Sequence, residues 1–425
     1  MTVTPDLRDA NAVARAVGLP EAPEIWRRTW PQSADSFGAG EVFFLTEDWV
    51  PRACEALRVS QEVTTALQDC AAAVRESPAM QRLAWHLHWL LCLSGLSPEV
   101  SAWPRLSDDH PAGPMLYGLV VLSGWPHLRE IHAARGLDLE ITLDTMSDLD
   151  TWTRDWHAWE GGYRFTALGW MQHHLRGQLL QLGRLQYLPG SYHHAFRWYR
   201  HTSTGRVIAL AEDGLLFRED GQFASADGSS VRRGLWRSSF TETVSRVTGQ
   251  PVTPEGKVLP EAVTLDTAEW CEVLRRGDPV MTVHIPSRGR MDPASCGESF
   301  ARAVAVYREH YPDVPYRAFT CQSWLLDPQF EQLDPAPPNI CAFMQEWYLH
   351  PVERAAEEQT WERVFDLFGH SQPDWENAPQ DTSLRRALVA FARQGGHMRG
   401  GGGVIFPKDV GDWGRQGYRA RGGVA

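Results

Sequence analysis

The segment from Asp278 to Leu326 constrains the fold more than any other part of the chain. It reads, in order, as a short apolar strand, a loop, an amphipathic helix and a second strand. Two strands joined through a helix pair in parallel, because the helix carries the chain back to the edge of the sheet where the first strand began. The sequence therefore predicts a βαβ unit here. We expect a further helix after Asn339, another over LRRALVAFARQ, and a last strand at the glycine run of RGGGGVIF.

The N-terminal part of the chain has helical periodicity. Apolar residues recur every three or four positions, as at Cys54, Leu57, Val63, Leu67 and Cys70. The segment LDLEITLDTMSDLDTWTRDWHAWEGG has the same spacing, and Gly161 and Gly162 are residues that end helices. We predict an α+β protein with a helical domain over residues 1–162, followed by a mixed α/β domain with a central twisted sheet over residues 163–425.

Two aromatic segments follow the helical part. LLQLGRLQY and SYHHAFRWYRH are rich in residues that favour strands, and Pro189 and Gly190 stand between them. This pattern predicts two paired strands joined by a turn at Pro189 and Gly190.

Composition and charge exclude several classes of protein. The formal charge is −12, and of the 41 basic residues only Lys257 and Lys408 are lysines, so nucleic acid is not an expected partner. The seven cysteines have no CxxC spacing, and residues 1–20 lack an apolar signal segment, which predicts a cytoplasmic protein. The most apolar segment, Leu83 to Leu96, is too short to span a membrane, so we expect a buried helix there.

The loop of the βαβ unit has the composition of an anion site. Arg288, Gly289 and Arg290 precede a helix that opens with Asp292, Pro293 and Ser295. Free backbone amides at a helix N-terminus, a glycine that permits close approach and two guanidinium groups suit a pyrophosphate or a carboxylate. The alternative is a capped helix with solvated arginines.

Several ordered motifs carry a resemblance to a known family. The runs VHIP, CGESFARA, FTCQSWLLDP and NICAF, preceded by LRGQLLQLGRLQY, resemble the GNAT-like C-terminal domain of bacterial acyltransferases, and the helical part is similar to the N-acyltransferase N-terminal domain of that family. The resemblance implies transfer of an acyl group from acyl-CoA, as co-substrate, to an amine or hydroxyl of a small-molecule acceptor. It also implies that the backbone of Met281, Val283 and Ile285 binds pantetheine. The pyrophosphate then lies on Ser287, Arg288, Gly289, Arg290 and Ser295.

The same resemblance suggests catalytic residues. His284 is the first candidate for the base that takes the proton of the nucleophile, Glu298 is the second, and Tyr348 is the candidate acid for the leaving thiolate by analogy with GNAT folds. Arg184 and Gln186 share one face of a strand and are candidates, with Ser323, for binding the acceptor. Each of these residues also has an ordinary structural interpretation.

Other functions remain open at this point. The loop SRGRMDPASCGES lacks the usual R/Q-x-x-G-x-G/A spacing, so a GNAT-like ligand-binding or scaffold protein without catalysis is the alternative. A hydrolase that uses Cys321 or Ser323 as nucleophile ranks third. The histidine pairs at 86 and 88, 173 and 174, and 193 and 194 have no zinc-site spacing, so we predict no metal.

Overall fold

The computed structural model describes residues 5–37, 42–225, 234–353, 357–367 and 372–421. The chain divides into two compact units, one of Met1–Leu182 with Pro286–Arg288 and the other of Gly183–Ile285 with Gly289–Ala425. The domain boundary that the sequence predicts after Gly162 stays a prediction, since compactness does not show where an independently folding domain ends.

The first unit is helical over its described residues, with one short strand at its end. Its elements are α1 (Ala10–Ala16), α2 (Glu24–Phe37), α3 (Trp49–Ala56), α4 (Gln61–Arg75), α5 (Pro78–His88), α6 (Leu116–Ser123), α7 (Trp125–Ala134), α8 (Leu139–Met146), α9 (Asp148–Glu160), α10 (Leu168–Leu175) and β1 (Leu180–Leu182). The predicted helical N-terminal part is confirmed.

Helix α6 is the centre of this unit's core. All eight of its residues are buried, which is the pattern of a helix surrounded by other helices. Helix α4 turns its apolar positions Val63, Leu67, Cys70 and Val74 into the same core. The predicted end of α9 also holds, because Gly161 adopts a left-handed conformation (φ 77°) and its amide donates to the carbonyl of His157.

Three histidines are buried in the first unit and bonded to hydroxyls. His86 Nδ1 lies 2.7 Å from Ser33 Oγ, His88 Nδ1 lies 2.8 Å from Ser123 Oγ, and His132 Nδ1 lies 2.8 Å from Thr142 Oγ1. Burial lowers the pKa of His86 to about 3 and those of His88 and His132 to about 4. These histidines therefore stay neutral at pH 7.

The segment from Leu83 to Leu96 is buried over most of its length, as predicted. It forms the end of α5 and a π-helical turn at Trp89–Leu93. Across the described ranges, no helix combines the length and the apolar character that a membrane span requires.

The second unit combines strands and helices. Its elements are β2 (Leu185–Ser191), β3 (Phe196–His201), β4 (Val207–Ala211), β5 (Leu216–Phe217), β6 (Trp236–Arg237), β7 (Phe240–Glu242), β8 (Arg246–Gly249), β9 (Pro251–Val252), β10 (Val263–Asp266), β11 (Trp270–Leu274), β12 (Pro279–His284), α11 (Pro293–His310), β13 (Phe319–Ser323), α12 (Pro338–Gln345), β14 (Tyr348–His350), α13 (Glu357–Phe365), α14 (Ser383–Arg393), β15 (Gly401–Ile405) and α15 (Gly417–Ala420). The α+β class is confirmed.

The main sheet of this unit has the strand order β2-β12-β13-β15-β14. Strands β12 and β13 are parallel and are joined through α11, so the predicted βαβ unit is confirmed. The other neighbours pair antiparallel. A second sheet has the order β11-β3-β4-β9.

The turn predicted at Pro189 and Gly190 is wrong. Both residues lie inside β2, which pairs with β12, while β3 belongs to the second sheet. Pro189 stands opposite Met281, whose backbone amide donates to Ala318 at 2.9 Å on the other side of β12. The missing amide of Pro189 therefore costs this ladder no hydrogen bond, because the pair is a non-hydrogen-bonded one.

The glycines of β15 allow close packing in the middle of the sheet. A Cβ atom on Gly401 would overlap the carbonyl of Leu326, and one on Gly402 would overlap the ring of His350. The last strand can therefore carry no side chains at these two positions.

Candidate functional site

Strands β12 and β13 part at their C-terminal ends. Their pairing stops at Thr282 and Thr320, although β12 continues to His284 beside β2 and β13 continues to Ser323 beside β15. Met281 lies in the paired part and turns its backbone towards β13. By the two-residue period of a strand, Val283 turns its backbone the same way, and Ile285 continues this register one step past the strand. The backbone beyond Thr282 therefore lines an opening between two parallel strands.

Helix α11 covers one face of the sheet at this opening. Ser299 Oγ lies 2.9 Å from the hydroxyl of Tyr187, and Phe300 packs edge-on against Tyr187 and Phe319. Tyr187 stands opposite Val283, so these side chains share the covered face. The side chains of Thr282 and His284 point to the opposite face.

His284 lies beside a buried glutamine and above a threonine. Gln186 is its direct partner on β2 and is 2% exposed. His284 Nε2 lies 3.2 Å from Thr282 Oγ1, and that hydroxyl donates its own proton to the carbonyl of Leu188 at 2.7 Å. The hydroxyl oxygen can then only accept from the ring, so Nε2 carries the hydrogen and Nδ1 of the neutral ring carries the lone pair.

Gln322 on β13 lies across the opening from His284 on β12. It lies two residues past the last pair on β13, as His284 does on β12, so both side chains point to the same side of the sheet. Gln322 is exposed, whereas its neighbour Cys321 is 4% exposed. Gln322 and Thr282 are not among the residues that the sequence predicts for this site. Strand alternation around His284 would have pointed to Thr282, but only the register across the two strands shows the place of Gln322.

The loop before α11 is held by Arg184. Its Nε donates to the carbonyl of Arg290 at 3.0 Å, and one terminal nitrogen lies 3.5 Å from the carbonyl of Gly289 and 3.3 Å from the sulfur of Met291. Gly289 has a left-handed conformation (φ 78°) and nothing lies within 4 Å of where its Cβ would be. Arg184 thus supports the predicted anion loop, and its predicted contact with a substrate stays a prediction.

The N-terminus of α11 is capped by a carboxylate of its own. Asp292 accepts from the backbone amide of Ser295 at 2.8 Å and from its hydroxyl at 2.6 Å. These two hydrogen bonds lower the pKa of Asp292. The hydroxyl and amide of Ser295, which the sequence assigned to a pyrophosphate, are therefore already bonded, and the helix end faces a negative charge.

The remaining residues of the predicted loop are exposed. Ser287, Arg288 and Arg290 all have exposed side chains, and the first two belong to the helical unit. The hydroxyl of Ser287 donates to the carboxylate of Asp155 at 2.7 Å within that unit.

Two of the predicted catalytic residues lie apart from His284. Glu298 is exposed on α11, which covers the sheet face opposite to the one that carries His284. Tyr348 lies on β14, three strands from β12 and thus about 14 Å away at ~4.8 Å per strand. Its hydroxyl donates to the carbonyl of Val252 at 2.6 Å, and burial raises its pKa.

Cys321 and Ser323, the two nucleophiles of the hydrolase hypothesis, lie in surroundings that indicate structural roles. Burial raises the pKa of the Cys321 thiol to about 12, which disfavours the thiolate that a nucleophile requires. Ser323 Oγ accepts from the amide of Leu325 at 3.2 Å and caps the short helical turn that follows β13. Across the described ranges, no group of three or more His, Cys, Asp or Glu side chains is arranged to hold a metal ion.

Comparisons with known proteins agree with this architecture. Residues 179–405 match the family profile described as GNAT-like C-terminal domain, and residues 48–177 match the one described as N-acyltransferase N-terminal domain. A comparison with curated proteins gave no match.

Solved structures share the fold over nearly the whole chain. One is an acyltransferase in complex with decanoyl-CoA and teicoplanin, with 20% identity, a TM-score of 0.61, and coverage of 94% of this chain and 99% of that chain. An acyltransferase mutant in complex with octanoyl-CoA has the same identity, TM-score and coverage. At this level of identity the likeness shows the fold.

Proposed function

Given that the chain belongs to the family that joins an N-acyltransferase N-terminal domain to a GNAT-like C-terminal domain, we propose that it moves an acyl group from acyl-CoA to an amine or hydroxyl of a small-molecule acceptor. The observation that carries this proposal is the parting of β12 from β13 after Thr282 and Thr320. An opening between two parallel strands leaves backbone amides and carbonyls free for an extended ligand with amide groups of its own, and pantetheine is such a ligand.

The backbone of Val283 and Ile285 binds the pantetheine arm in this proposal. Met281 contributes less, because its amide already bonds to Ala318 at 2.9 Å. The pyrophosphate lies against the loop of Gly289 and Arg290, which Arg184 holds through the backbone carbonyls of both residues. Arginine forks suit phosphate oxygens, and they offset the negative charge of Asp292.

His284 is the general base. The nitrogen or oxygen of the acceptor attacks the thioester carbonyl carbon, its proton passes to Nδ1 of His284, the carbon–sulfur bond breaks, and the thiolate of CoA leaves. The same imidazolium returns the proton to the thiolate, so the cycle needs no second acid. What supports this assignment is the hydrogen bond of Nε2 to Thr282, which leaves the lone pair on Nδ1. Gln322, across the opening, is placed to orient the acceptor.

The acyl donors and acceptor to test first come from the structural neighbours. These acyltransferases are in complex with decanoyl-CoA, octanoyl-CoA and teicoplanin, so we propose medium-chain acyl-CoA as donor and begin the search for an acceptor with teicoplanin. We further propose a cytoplasmic location in a bacterium, with no nucleic-acid partner. The seven free cysteines support the cytoplasmic location, and the charge of −12 supports the absence of a nucleic-acid partner.

Two measurements test the function. Isothermal titration with acetyl-, octanoyl- and decanoyl-CoA should show binding, and release of free thiol from acyl-CoA should depend on an added amine. His284→Ala should keep the binding and lose the amine-dependent release by about 100-fold or more. Absence of binding for all three donors, with the protein folded, would falsify the proposal.

A non-catalytic ligand-binding protein remains the second candidate. The capping of α11 by Asp292 favours it, since this carboxylate competes with a pyrophosphate for the helix amides. The two candidates differ in one measurement. A protein that binds acyl-CoA but releases thiol at the same rate with and without amine acceptors would be a binding protein.

A further inference from the structure

A cavity of about 170 Å³ lies beyond the C-terminal end of β13, within the second unit. Its walls include Asp327, which follows β13, and Arg399, which precedes β15. Lys257 and Asp220 come from two turns on the other side.

The two carboxylates of the cavity already have enough donors. Asp327 accepts from the amides of Gln329 and Gly400 at 3.0 and 2.9 Å, and from the side chain of Gln329 at 3.2 Å. Asp220 accepts from the guanidinium of Arg218 and from the amide of Gln222 at 3.2 Å, and it forms an ion pair with Arg399 at 3.0 Å. Neither carboxylate therefore needs a cationic ligand to satisfy its oxygen atoms.

The cations of the cavity have donors to spare. Arg399 uses Nη1 on Asp220, but its Nε is buried and has no hydrogen-bond partner in the described part of the chain. Lys257 is exposed, and its ammonium group forms no ion pair or hydrogen bond with any described residue. This Nε is enclosed by protein atoms, so the donors that a ligand in the cavity can reach are the outer nitrogens of the Arg399 guanidinium and the ammonium group of Lys257.

The walls are fixed by hydrogen bonds that do not involve these spare donors. Gln222 donates to the carbonyl of Gly256 at 2.7 Å, which holds the turn that carries Lys257. Gln329 donates to the carbonyl of His397 at 2.8 Å, which holds the segment that leads to Arg399. Hydrogen bonds therefore hold the walls of the cavity in place, and the polar groups that remain unbonded there are hydrogen-bond donors.

We infer that this cavity binds an oxyanion, a carboxylate or phosphate group, between Lys257 and Arg399. A bound oxyanion accepts from the outer nitrogens of the Arg399 guanidinium and from the ammonium of Lys257, and both hydrogen bonds are charge-assisted. The group belongs either to the acceptor molecule or to a phosphate of CoA. The cavity lies at the edge of the sheet where β12 and β13 part, because β13 runs from that opening into Asp327.

The composition of the chain provides a direct test. Lys257 and Lys408 are the only lysines, and both are exposed, so each is the internal control for the other. The full-length protein is acetylated with an N-hydroxysuccinimide ester, with and without inorganic phosphate, malonate, CoA or dephospho-CoA, and the two peptides are quantified by mass spectrometry. We expect phosphate or malonate to slow acetylation of Lys257 at least threefold while Lys408 is unchanged. Equal reaction of Lys257 in all conditions would overturn the inference.

The four probes also separate the two sources of the oxyanion. Protection by CoA but not by dephospho-CoA assigns the site to the 3′-phosphate of CoA. If malonate or phosphate protects Lys257 and added CoA does not change this protection, the site is assigned to the acceptor. Either pattern supports an oxyanion site, and neither depends on catalytic turnover.

Variants give a second measurement. Lys257→Gln and Arg399→Lys should weaken the binding of the protecting probe about tenfold in isothermal titration, and Lys408→Gln should bind as the wild type does. Arg399→Lys keeps a positive charge near Asp220 but lacks the planar guanidinium, so it tests the fork of donors that this group offers. Undiminished binding by both Lys257→Gln and Arg399→Lys would contradict the inference.

Discussion

The hydroxyl of Tyr348 donates a hydrogen bond of 2.6 Å to the carbonyl of Val252, which joins the main sheet of the second unit to its second sheet. Tyr348→Phe removes this bond and leaves a buried carbonyl with one partner fewer. We expect a loss of about 1–2 kcal/mol in the free energy of unfolding, measured with urea, and unchanged kcat for the folded protein. A large fall in kcat at unchanged stability would instead restore Tyr348 as the acid.

Thr282 positions His284 in the proposed mechanism. Thr282→Val keeps the shape of the side chain but removes the oxygen that accepts from Nε2, so the ring loses its preference for the tautomer with the hydrogen on Nε2. We expect kcat to fall about tenfold, with a changed pH profile of kcat and little change in the KM for acyl-CoA.

Thr320→Val is the matched control for this experiment. Thr320 stands beside Thr282 at the last pair of the two strands, so the two variants disturb the same part of the sheet. Equal losses of activity in both variants, with unchanged pH profiles, would show that Thr282 has a structural role alone.

Gln322 orients the acceptor in our proposal. Gln322→Ala should raise the KM for the acceptor about tenfold, the cost of about one hydrogen bond, and leave the affinity for acyl-CoA unchanged. Ser323→Ala is the control, because Ser323 caps a turn and should change stability but not KM. An effect of Gln322→Ala on acyl-CoA binding would place the side chain on the donor side.

The sequence predicts the βαβ unit because its signals are local. The apolar run from Val280 to Val283 and the helical periodicity of α11 are visible within a few residues, and a parallel pair follows from the helix between two strands. The turn at Pro189 failed for the opposite reason. Whether a proline interrupts a strand depends on which side its missing amide faces, and only the pairing with Met281 shows this.

The sequence predicts the candidate site in part, again where the signals are local. His284 and the loop at Gly289 are recognised from neighbouring residues and from resemblance. Tyr348 was selected by its place in the sequence, but the order of strands separates it from β12. Asp292 before Pro293 is an ordinary helix-capping pattern, and its consequence for an anion becomes clear only when the Ser295 amide is found bonded to it.

The buried histidines of the helical unit make its stability depend on pH. The pKa of His88 is about 4 in the folded protein, below the ~6.5 of an unfolded chain, so between these values the unfolded state binds a proton that the folded state does not. The free energy of unfolding therefore falls as the pH falls through this window. His88→Gln does not titrate, and from pH 7 to pH 5 it should lose about 2 kcal/mol less than the wild type.

Urea unfolding at several pH values measures this difference. His193→Gln, at an exposed histidine, is the control and should follow the wild type. The interpretation fails if the curves of His88→Gln and the wild type run parallel, since His88 would then titrate alike in both states.

Asp292 determines how strongly the start of α11 can attract a phosphate. Asp292→Asn keeps a good N-cap residue for the helix, so stability should be unchanged, but it removes a negative charge beside the loop to which we assign the pyrophosphate. We expect CoA to bind about threefold to tenfold more tightly at low salt, with a smaller gain at 0.5 M salt because screening weakens the repulsion (a Debye length of about 4 Å).

Glu298→Gln supplies the comparison for Asp292→Asn. It removes an equal charge from the exposed side of α11 without touching the cap, so its effect on CoA affinity should be smaller, and kcat should not change if His284 is the base. The order of the two effects locates the pyrophosphate. A gain in affinity that is confined to Asp292→Asn places it at the helix end. Equal affinities in both variants and the wild type would mean that CoA binds its phosphates elsewhere, and the cavity between Lys257 and Arg399 would then be the first place to look.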